Sequence, residues 1–185
     1  MVNRIHPLFQ DSPKNLLSIY FCAGCPNLEG TADVIRTLEK NGVNMIEIGI
    51  PFSDPMADGI VIQNAATRAL RNGMSLHLLF EQLQDIRRDV HIPLILMGYL
   101  NPIMQFGFEN FCRKCTECGI DGVIIPDLPF KDYEESYKAI ARKYDLKLDS
   151  DTWALLAQET PKELTNVTTQ ITRSVRELRA AAAPK

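Results

Sequence analysis

The chain has 185 residues, of which 45% are hydrophobic and 23% are charged, a composition typical of a globular protein with one sizeable core. Its formal net charge is −3 and its basic residues are scattered, so the charge pattern excludes a nucleic-acid-binding surface as the expected function. No apolar run reaches the roughly 18 residues of a membrane-spanning helix, and the N-terminus lacks the apolar segment of a signal peptide. We therefore expect a cytoplasmic protein without a membrane partner.

Short apolar runs alternate with segments of helical periodicity along the chain. In chain order, we predict a strand over 16–22, a helix over 31–40, a strand over 45–50, helices over 60–71 and 75–88, a strand over 94–97, a helix over 109–118, a strand over 123–126 and a helix over 132–144. Repeated strand and helix units favour an α/β fold with a parallel sheet. Such a sheet forms either an open doubly wound layer or a barrel. In both, the ligand site lies at the carboxyl ends of the strands.

The character of the sequence changes after residue 145. All ten glycines lie at or before Gly122, and residues 146–185 contain no further strand bounded by turns. One face of a predicted amphipathic helix in this segment carries Val167, Ile171, Val175 and Leu178. A phosphate cradle built from backbone amides usually needs glycine, so the segment is a poor candidate for one. We predict two parts, residues 1–145 and a mostly helical tail over 146–185.

Five cysteines invite comparison with redox and metal motifs. Two residues separate Cys22 from Cys25, and the same spacing recurs at Cys112, Cys115 and Cys118. The first motif ends an apolar strand and the second lies on a predicted helix whose apolar face carries Cys112 and Cys115. None of the three histidines lies at ligand spacing to these cysteines or to another histidine. We therefore predict reduced thiols, either buried or on the surface, and no metal site, with a zinc or cluster site as the alternative.

An acidic residue, Glu47, interrupts the predicted strand over 45–50. Strand alternation places Ile46, Ile48 and Ile50 on one face, toward the helices, and Glu47 on the other. We expect that other face to point toward a barrel interior. A desolvated carboxyl group there would have a raised pKa, which suits a general acid or base near neutral pH. The alternative is a structural glutamate that is buried and paired with a tyrosine or lysine.

Two further acids, Asp54 and Asp58, follow in the loop "FSDPMADG". Ser53, Asp54 and Pro55 fit a turn, and Asp58 before Gly59 could cap the next helix, so a structural role for both acids stays open. An acid on a strand with a second acid on the adjoining loop also suits acid–base chemistry on a small ligand. These residue types alone do not identify that ligand.

Several longer motifs carry a resemblance to one family. They are "YFCAGCP" at 20–26, "IEIGIPFSDPMADG" at 46–59, "IQNA" at 62–65, "LMGYLNPI" at 96–103 and "GVIIPDLP" at 122–129. In this order they closely resemble the alpha subunit of tryptophan synthase, over residues 1 to about 145. The resemblance implies a (β/α)8 TIM barrel, of which the first four βα units are matched. It also implies a lyase of tryptophan biosynthesis that cleaves indole-3-glycerol phosphate to indole and glyceraldehyde 3-phosphate.

The resemblance also implies roles for five residues. Glu47 would be the acid–base group, and Asp58 would be the carboxylate that faces the indole nitrogen. Tyr99 and Asn101 would line the substrate pocket, and Asp127 would follow the fourth strand beside it. Tyr99 has a structural alternative as a core aromatic residue. Asp127 could instead order a turn or contact a partner subunit.

The same resemblance implies a partner. In the family, indole passes to a beta subunit that carries pyridoxal phosphate in an alpha2beta2-type complex, so we expect no cofactor in this chain. The loop over 51–59 would contact that partner. Because the match stops near residue 145, we expect a truncated or chimeric chain. Such a chain would lack the second half of the barrel, so its lyase activity is an open question at this point. The alternative function is a non-catalytic half-barrel that binds a beta-type partner.

Overall fold

Four parallel strands form one sheet in a computed structural model that describes residues 4–9 and 15–148. The strands are β1 (Ser18–Cys22), β2 (Met45–Gly49), β3 (Leu94–Met97) and β4 (Gly122–Ile124), and they lie in the order β1, β2, β3, β4. All four were predicted from the sequence, and all pair in parallel. Because the order never reverses, the sheet follows the barrel arrangement and not the doubly wound one.

Helical segments precede β1, connect the strands and follow β4. They are α1 (Ile5–Phe9), α2 (Thr31–Lys40), α3 (Ile60–Arg71), α4 (Leu76–Leu83), a 3₁₀ turn (Ile86–Arg88), α5 (Leu100–Phe106), α6 (Phe108–Glu117), α7 (Phe130–Asp132), a π-helical turn (Tyr133–Tyr137) and α8 (Lys138–Lys143). The architecture is therefore a partial (β/α) barrel. Across residues 4–9 and 15–148, no helix has both the length and the apolar character needed to cross a membrane.

Four helical regions differ from the prediction. Helices α1 and α5 were not predicted, and the helices predicted over 75–88 and 132–144 are each divided into shorter segments. Helix α5 was missed because it has seven residues and contains Pro102. The single helix predicted over 75–88 is instead α4 followed by a 3₁₀ turn. In this turn the Arg87 guanidinium group donates hydrogen bonds to the carbonyl oxygens of Gly119 (2.9 Å) and Ile92 (2.7 Å). These contacts between distant segments accompany the break in the helix, and local periodicity does not reveal them.

The two faces of the sheet have different chemistry. Side chains on paired residues of parallel strands point to the same side, so Ile46 shares a face with Ile19 and Leu94. Ile46 and Leu94 are completely buried on this face, which the helices cover. The predicted orientation of the β2 isoleucines is therefore confirmed. The opposite face carries Tyr20 and Glu47, which are paired in register.

A buried ionic cluster lies at the amino ends of β3 and β4. The Asp121 carboxylate has no solvent exposure and accepts hydrogen bonds from the Leu94 N–H (3.0 Å), from Arg4 Nη1 (3.0 Å) and from Arg87 Nη2. Burial lowers the pKa of the Arg87 guanidinium group, and the negative charge of Asp121 opposes that shift. The cluster ties the N-terminal segment, the 3₁₀ turn and two strands together.

The described chain continues three residues beyond the predicted boundary at 145. Leu146 and Leu148 are buried, and Leu148 pairs with Val123 of β4 in a parallel bridge. The Val123 N–H also donates a hydrogen bond to the carbonyl oxygen of Lys147 (2.8 Å). The predicted amphipathic helix across 167–178 lies outside the described residues.

Replacement of Asp121 by asparagine should destabilise the fold. It removes the charge that balances the buried Arg87 guanidinium group, and breaking a buried pair in this way typically costs about 3–5 kcal/mol. Urea unfolding of Asp121→Asn against the parent measures this loss. The matched control is Asp89→Asn, which breaks an exposed pair with Arg36 (2.7 Å) and should cost less than about 1 kcal/mol. Equal losses in the two variants would contradict the assigned role of Asp121.

A side chain at position 98 should also be costly. A Cβ atom on Gly98 would lie 2.8 Å from the Cβ of Ile50, which is anchored in the core and cannot move away freely. Overpacking of this kind costs about 1–3 kcal/mol. Gly98→Ala should therefore lower the urea midpoint clearly, whereas Gly59→Ala, whose Cβ would meet nothing within 4 Å, should lower it little. A Gly98→Ala midpoint equal to that of the control would show that the strands separate easily there.

Candidate active site

The predicted site residues gather toward one edge of the sheet. Because the strands are parallel, the carboxyl ends of β2, β3 and β4 lie along the same edge. The loop after β2, residues 51–59, contains Asp58 and is called the acidic loop below. Tyr99 and Asn101 follow β3, and Asp127 follows β4. Glu47 lies within β2, two residues before its end.

Glu47 occupies the sheet face opposite the isoleucines, as predicted. Its Oε1 accepts a hydrogen bond from Ser18 Oγ (2.7 Å), and the residue is half-buried. Glu47 was expected to be shielded from solvent, but in the described part of the chain it is only half-buried. The reason is that the helices cover the other face of the sheet. The structural alternative also changes, because the partner is a serine and not a tyrosine or lysine.

A tyrosine hydroxyl holds the acidic loop. The Tyr99 hydroxyl accepts a hydrogen bond from the Ala57 N–H (2.9 Å) and donates one to Asp58 Oδ2 (3.2 Å). Two turns shape the same loop, through hydrogen bonds from the Met56 N–H to the Asp54 carbonyl (2.9 Å) and from the Asp58 N–H to the Pro55 carbonyl (3.1 Å). Together these contacts set the position of the Asp58 carboxylate.

The predicted alternative of Asp58 as a helix cap is not what the structure contains. Gly59 is the N-cap residue of α3, and no side chain accepts a capping hydrogen bond there. The Asp58 carboxylate instead meets Tyr99, while its backbone carbonyl accepts a hydrogen bond from Gln63 Nε2 (2.9 Å). The carboxylate is thus held by a phenol, which leaves acceptor capacity for a ligand.

Tyr99 combines the two roles considered from the sequence. It is buried, and its ring centroid lies 5.3 Å from that of Phe52, so it packs as a core aromatic residue does. Its hydroxyl nevertheless reaches the acidic loop. Burial raises the pKa of Tyr99, and the negative charge of Asp58 raises it further. The phenol therefore stays protonated near neutral pH and can keep donating to Asp58.

Asn101 and Asp127 meet at the start of α5. Asp127 Oδ1 accepts a hydrogen bond from the N–H of Leu100, the first residue of this helix (2.9 Å). Asn101 Oδ1 accepts one from Gln105 Nε2 (2.7 Å). Both residues line an open cavity of about 500 Å³ with Leu100, Met104 and Gln105. That cavity is lined by neither Glu47 nor Asp58, so the five predicted residues form two neighbouring groups.

A second cavity of about 480 Å³ adjoins the first residues of the acidic loop. Phe52, His77, Asn101 and Phe106 are among the residues that line it, and the rings of His77 and Phe106 lie 4.7 Å apart. Its surface is more apolar than polar. The chemistry of this lining suits an apolar side chain or an aromatic ligand group.

The sequence reasoning missed one residue of this region, Tyr20. It pairs in register with Glu47, and its hydroxyl lies 2.1 Å from the point where a Cβ on Gly49 would stand. Burial raises the pKa of Tyr20, and the nearby Cys22, Asp58, Tyr99 and Glu47 add to the shift. Strand alternation already placed Glu47 on this face, but only the register between β1 and β2 brings Tyr20 beside it.

The cysteines are free thiols and mostly buried. Cys112, Cys115 and Cys118 are buried at helix α6 and its C-terminal end, and burial raises the pKa of all three, to about 12 for Cys112. Burial likewise raises the pKa of Cys22 to about 12, whereas Cys25 is half-buried. These environments disfavour the thiolate and suit packing. Within the described residues, no three His, Cys, Asp or Glu side chains are grouped as a metal site would require.

Comparisons with known proteins agree with this geometry. The family model of the tryptophan synthase alpha chain matches residues 8–174. A tryptophan synthase alpha chain from Bacteroides fragilis is 80% identical over 147 residues, which make up 80% of this chain and 56% of that relative. The family match extends beyond residue 145, where the resemblance in the sequence was expected to stop. The chain spans little more than half the length of the curated relatives that it matches.

Solved structures give the same answer for the fold. The tryptophan synthase alpha subunit from Legionella pneumophila matches with a TM-score of 0.74 at 38% identity, over 80% of this chain and 58% of that one. A chain of the tryptophan synthase a2b2 complex from Pyrococcus furiosus matches with a TM-score of 0.67 at 38% identity, over 72% and 54%. The sequence motifs, the partial barrel and these matches agree. The chain therefore belongs to the tryptophan synthase alpha chain family.

Proposed function

We propose that this chain is an alpha-type lyase of tryptophan biosynthesis that cleaves indole-3-glycerol phosphate to indole and glyceraldehyde 3-phosphate. The observation that supports it most is the presence of a strand acid, Glu47, on the face opposite the buried isoleucines, followed by a loop acid, Asp58, that a buried tyrosine holds. The 80% identity to a relative named tryptophan synthase alpha chain indicates the substrate on which these two acids would act.

The reaction is a retro-aldol cleavage and needs two proton movements. The indole carbon that bears the glycerol side chain takes up a proton. The hydroxyl group on the adjacent carbon loses a proton as the carbon–carbon bond breaks, and that carbon becomes the aldehyde. The protonated indole carries positive charge at its ring nitrogen. A site for this reaction therefore needs an acid–base group and a fixed negative charge.

Glu47 is the acid–base group in this proposal. Its Oε1 accepts a hydrogen bond from Ser18 Oγ, which fixes the carboxyl group without neutralising its charge. Within the described residues Oε2 has no hydrogen-bond partner, so it is available for proton transfer. Half-burial keeps the group reachable by a ligand on this face of the sheet.

Asp58 is the carboxylate that faces the indole nitrogen in this proposal. An ionised carboxylate only accepts hydrogen bonds, and the indole N–H only donates them, so the two groups are complementary. Tyr99 holds one carboxylate oxygen, and the other accepts the indole N–H. A preorganised negative charge at this point stabilises the cationic ring more than the neutral substrate, which is the differential binding that catalysis requires.

Tyr99, Asn101 and Asp127 complete the proposed substrate side of the site. Tyr99 orients Asp58, and Asp127 fixes the start of α5 immediately after Tyr99 through the Leu100 N–H. Asn101 offers its amide group at the same edge. The contact between Asp127 and Leu100 also fits the alternative in which Asp127 orders the chain locally.

A beta-type tryptophan synthase subunit is the proposed partner. The acidic loop exposes Met56 (91% exposed), and the first turn of α3 exposes Ile60 (68%) and Val61 (77%). Neighbouring exposed apolar side chains mark protein contact surfaces. The Pyrococcus furiosus relative belongs to an a2b2 complex. Pyridoxal phosphate acts on the beta subunit in this proposal, and no cofactor is assigned to this chain.

The same exposed side chains favour a second candidate function, a non-catalytic chain that binds the beta-type partner. We also propose that residues 1–145 form the N-terminal half of a TIM-barrel domain and that the tail predicted over 146–185 begins only after Leu148, which still pairs with β4. We place the protein in the cytoplasm, where free thiols such as the five in this chain stay reduced.

Removal of the Tyr99 hydroxyl should loosen the acidic loop. Tyr99→Phe deletes the acceptor for the Ala57 N–H, and losing one such hydrogen bond of about 1 kcal/mol speeds amide exchange roughly fivefold. Hydrogen exchange at Ala57 measures the effect. Tyr144→Phe is the matched control, because that hydroxyl contacts Glu109 on the surface (3.1 Å). Unchanged exchange in Tyr99→Phe would mean that the loop is held by its turns alone.

Replacement of either proposed acid should stop indole release. Glu47→Gln and Asp58→Asn keep size and remove charge, and we expect indole release from indole-3-glycerol phosphate to fall by about 100-fold or more. Glu109→Gln, on an exposed pair with Lys143, and Asp54→Asn, in the same loop, are the controls and should keep most of the activity.

Partner binding distinguishes the two candidate functions. The indole assay is run with and without a beta-type subunit, and binding of that subunit is measured in parallel. The lyase proposal predicts that Glu47→Gln loses indole release and keeps binding. A folded parent chain that binds the subunit and releases no indole would support the non-catalytic alternative.

A further inference from the structure

We propose that Tyr20 is a further catalytic residue of this site, whose hydroxyl donates a hydrogen bond to the glycerol oxygen that becomes the aldehyde. The inference rests on the proposed lyase function and adds a residue that the motifs did not single out. It depends on the position of the phenol, on the space that Gly49 leaves and on the absence of another partner.

The position of Tyr20 follows from the register of the sheet. Tyr20 of β1 pairs with Glu47 of β2, and Cys22 pairs with Gly49. Paired side chains of parallel strands project from the same face, so Tyr20 emerges beside the proposed acid–base group. This is the face opposite the buried isoleucines, and it therefore carries both Tyr20 of β1 and Glu47 of β2.

Gly49 determines where the phenol lies. A Cβ at Gly49 would stand 2.1 Å from the Tyr20 hydroxyl and 2.6 Å from its Cζ, so any other residue type would displace the ring. Gly49 lies two residues beyond Glu47, at the carboxyl end of β2. The ring therefore leans across β2 toward the edge where the acidic loop begins. The hydroxyl thus reaches the level of Gly49, two residues beyond Glu47 and at the end of β2 from which the acidic loop follows.

The hydroxyl is available to a ligand. Within residues 4–9 and 15–148, the Tyr20 hydroxyl makes no hydrogen bond, whereas the Tyr99 hydroxyl makes two and Glu47 is bound by Ser18. Its pKa is raised by burial and by the nearby negative charges, so the phenol stays protonated at neutral pH. It is thus a free donor beside the two proposed catalytic carboxylates.

The chemistry of the substrate identifies the acceptor. The indole N–H is itself a donor and suits the Asp58 carboxylate, so it cannot accept from a phenol. The glycerol oxygen next to the ring can accept, and it gains negative charge as its proton moves to Glu47. A hydrogen bond from Tyr20 stabilises this charge while the tyrosine keeps its own proton. The hydrogen bond from Tyr20 therefore adds no proton transfer to the cleavage and lowers only its activation barrier.

Substitution by phenylalanine isolates the hydroxyl. Tyr20→Phe keeps the ring that packs over Gly49 and removes one oxygen. We expect kcat for indole release to fall by about 100-fold while KM changes little, because the lost hydrogen bond strengthens in the transition state. Tyr144→Phe, far along the chain on the surface, is the control and should match the parent. A Tyr20→Phe variant with the kcat of the parent, or with a raised KM alone, would overturn the inference.

Product binding provides a readout that does not need turnover. Calorimetry with the full chain measures the affinities of indole and of glyceraldehyde 3-phosphate separately. Loss of one hydrogen bond to a neutral oxygen should weaken glyceraldehyde 3-phosphate binding by about fivefold in Tyr20→Phe, a factor that is small beside the loss in kcat, and should leave indole binding unchanged. Equal affinities in parent and variant would overturn this inference alone. A parent chain that releases no indole and binds neither product would overturn the proposed function and this inference together.

Discussion

The parallel register of β2 between β1 and β3 is the constraint on which the site depends. Ile46 and Ile48 are completely buried on the helix-covered face, and burial of each side chain contributes about 1.5–3 kcal/mol. A slip of one residue would move these isoleucines to the open face and carry Glu47 into the apolar layer, which is costly for a carboxyl group. Hydrophobic burial on one face therefore fixes the position of the proposed acid–base group on the other. The same register brings Tyr20 beside Glu47.

Residues at the amino ends of the strands stabilise the fold, whereas residues at the carboxyl ends form the proposed ligand site. At the amino ends, Asp121 and Arg87 form a buried pair with no solvent exposure on the carboxylate. At the carboxyl ends, the Asp58 carboxylate is held, among the described residues, by the Tyr99 hydroxyl alone and keeps capacity for a ligand. This division is the one expected for barrel folds, where the amino-terminal face stabilises and the carboxyl-terminal loops act on substrates. The Asp121 carboxylate thus stabilises the fold because its oxygens are occupied by hydrogen bonds, whereas the Asp58 carboxylate can bind a ligand because it keeps free acceptor capacity.

Local patterns predicted what depends on neighbours in sequence. The four strands and the inward isoleucines of β2 followed from alternation, which the burial of one face enforces. Helix α5 was missed because Pro102 and its short length hide the periodicity. Glu47 was expected to be more buried than it is, because the cover over a sheet face depends on distant segments. Tyr20 and Asp121 were missed for the same reason, since the first needs the space above Gly49 and the second needs contacts with residues far away in the sequence.

The central claim is that Glu47, Asp58 and Tyr99 belong to one ligand site at the carboxyl edge of the sheet. The most direct test is an NMR titration of the labelled chain with indole, which needs no turnover and no partner. One shared site predicts that the amide signals of Glu47, Ala57 and Tyr99 shift together with one dissociation constant, while that of Asp121 stays in place. Shifts confined to the cavity lined by His77 and Phe106, with Glu47 and Ala57 unaffected, would contradict the claim.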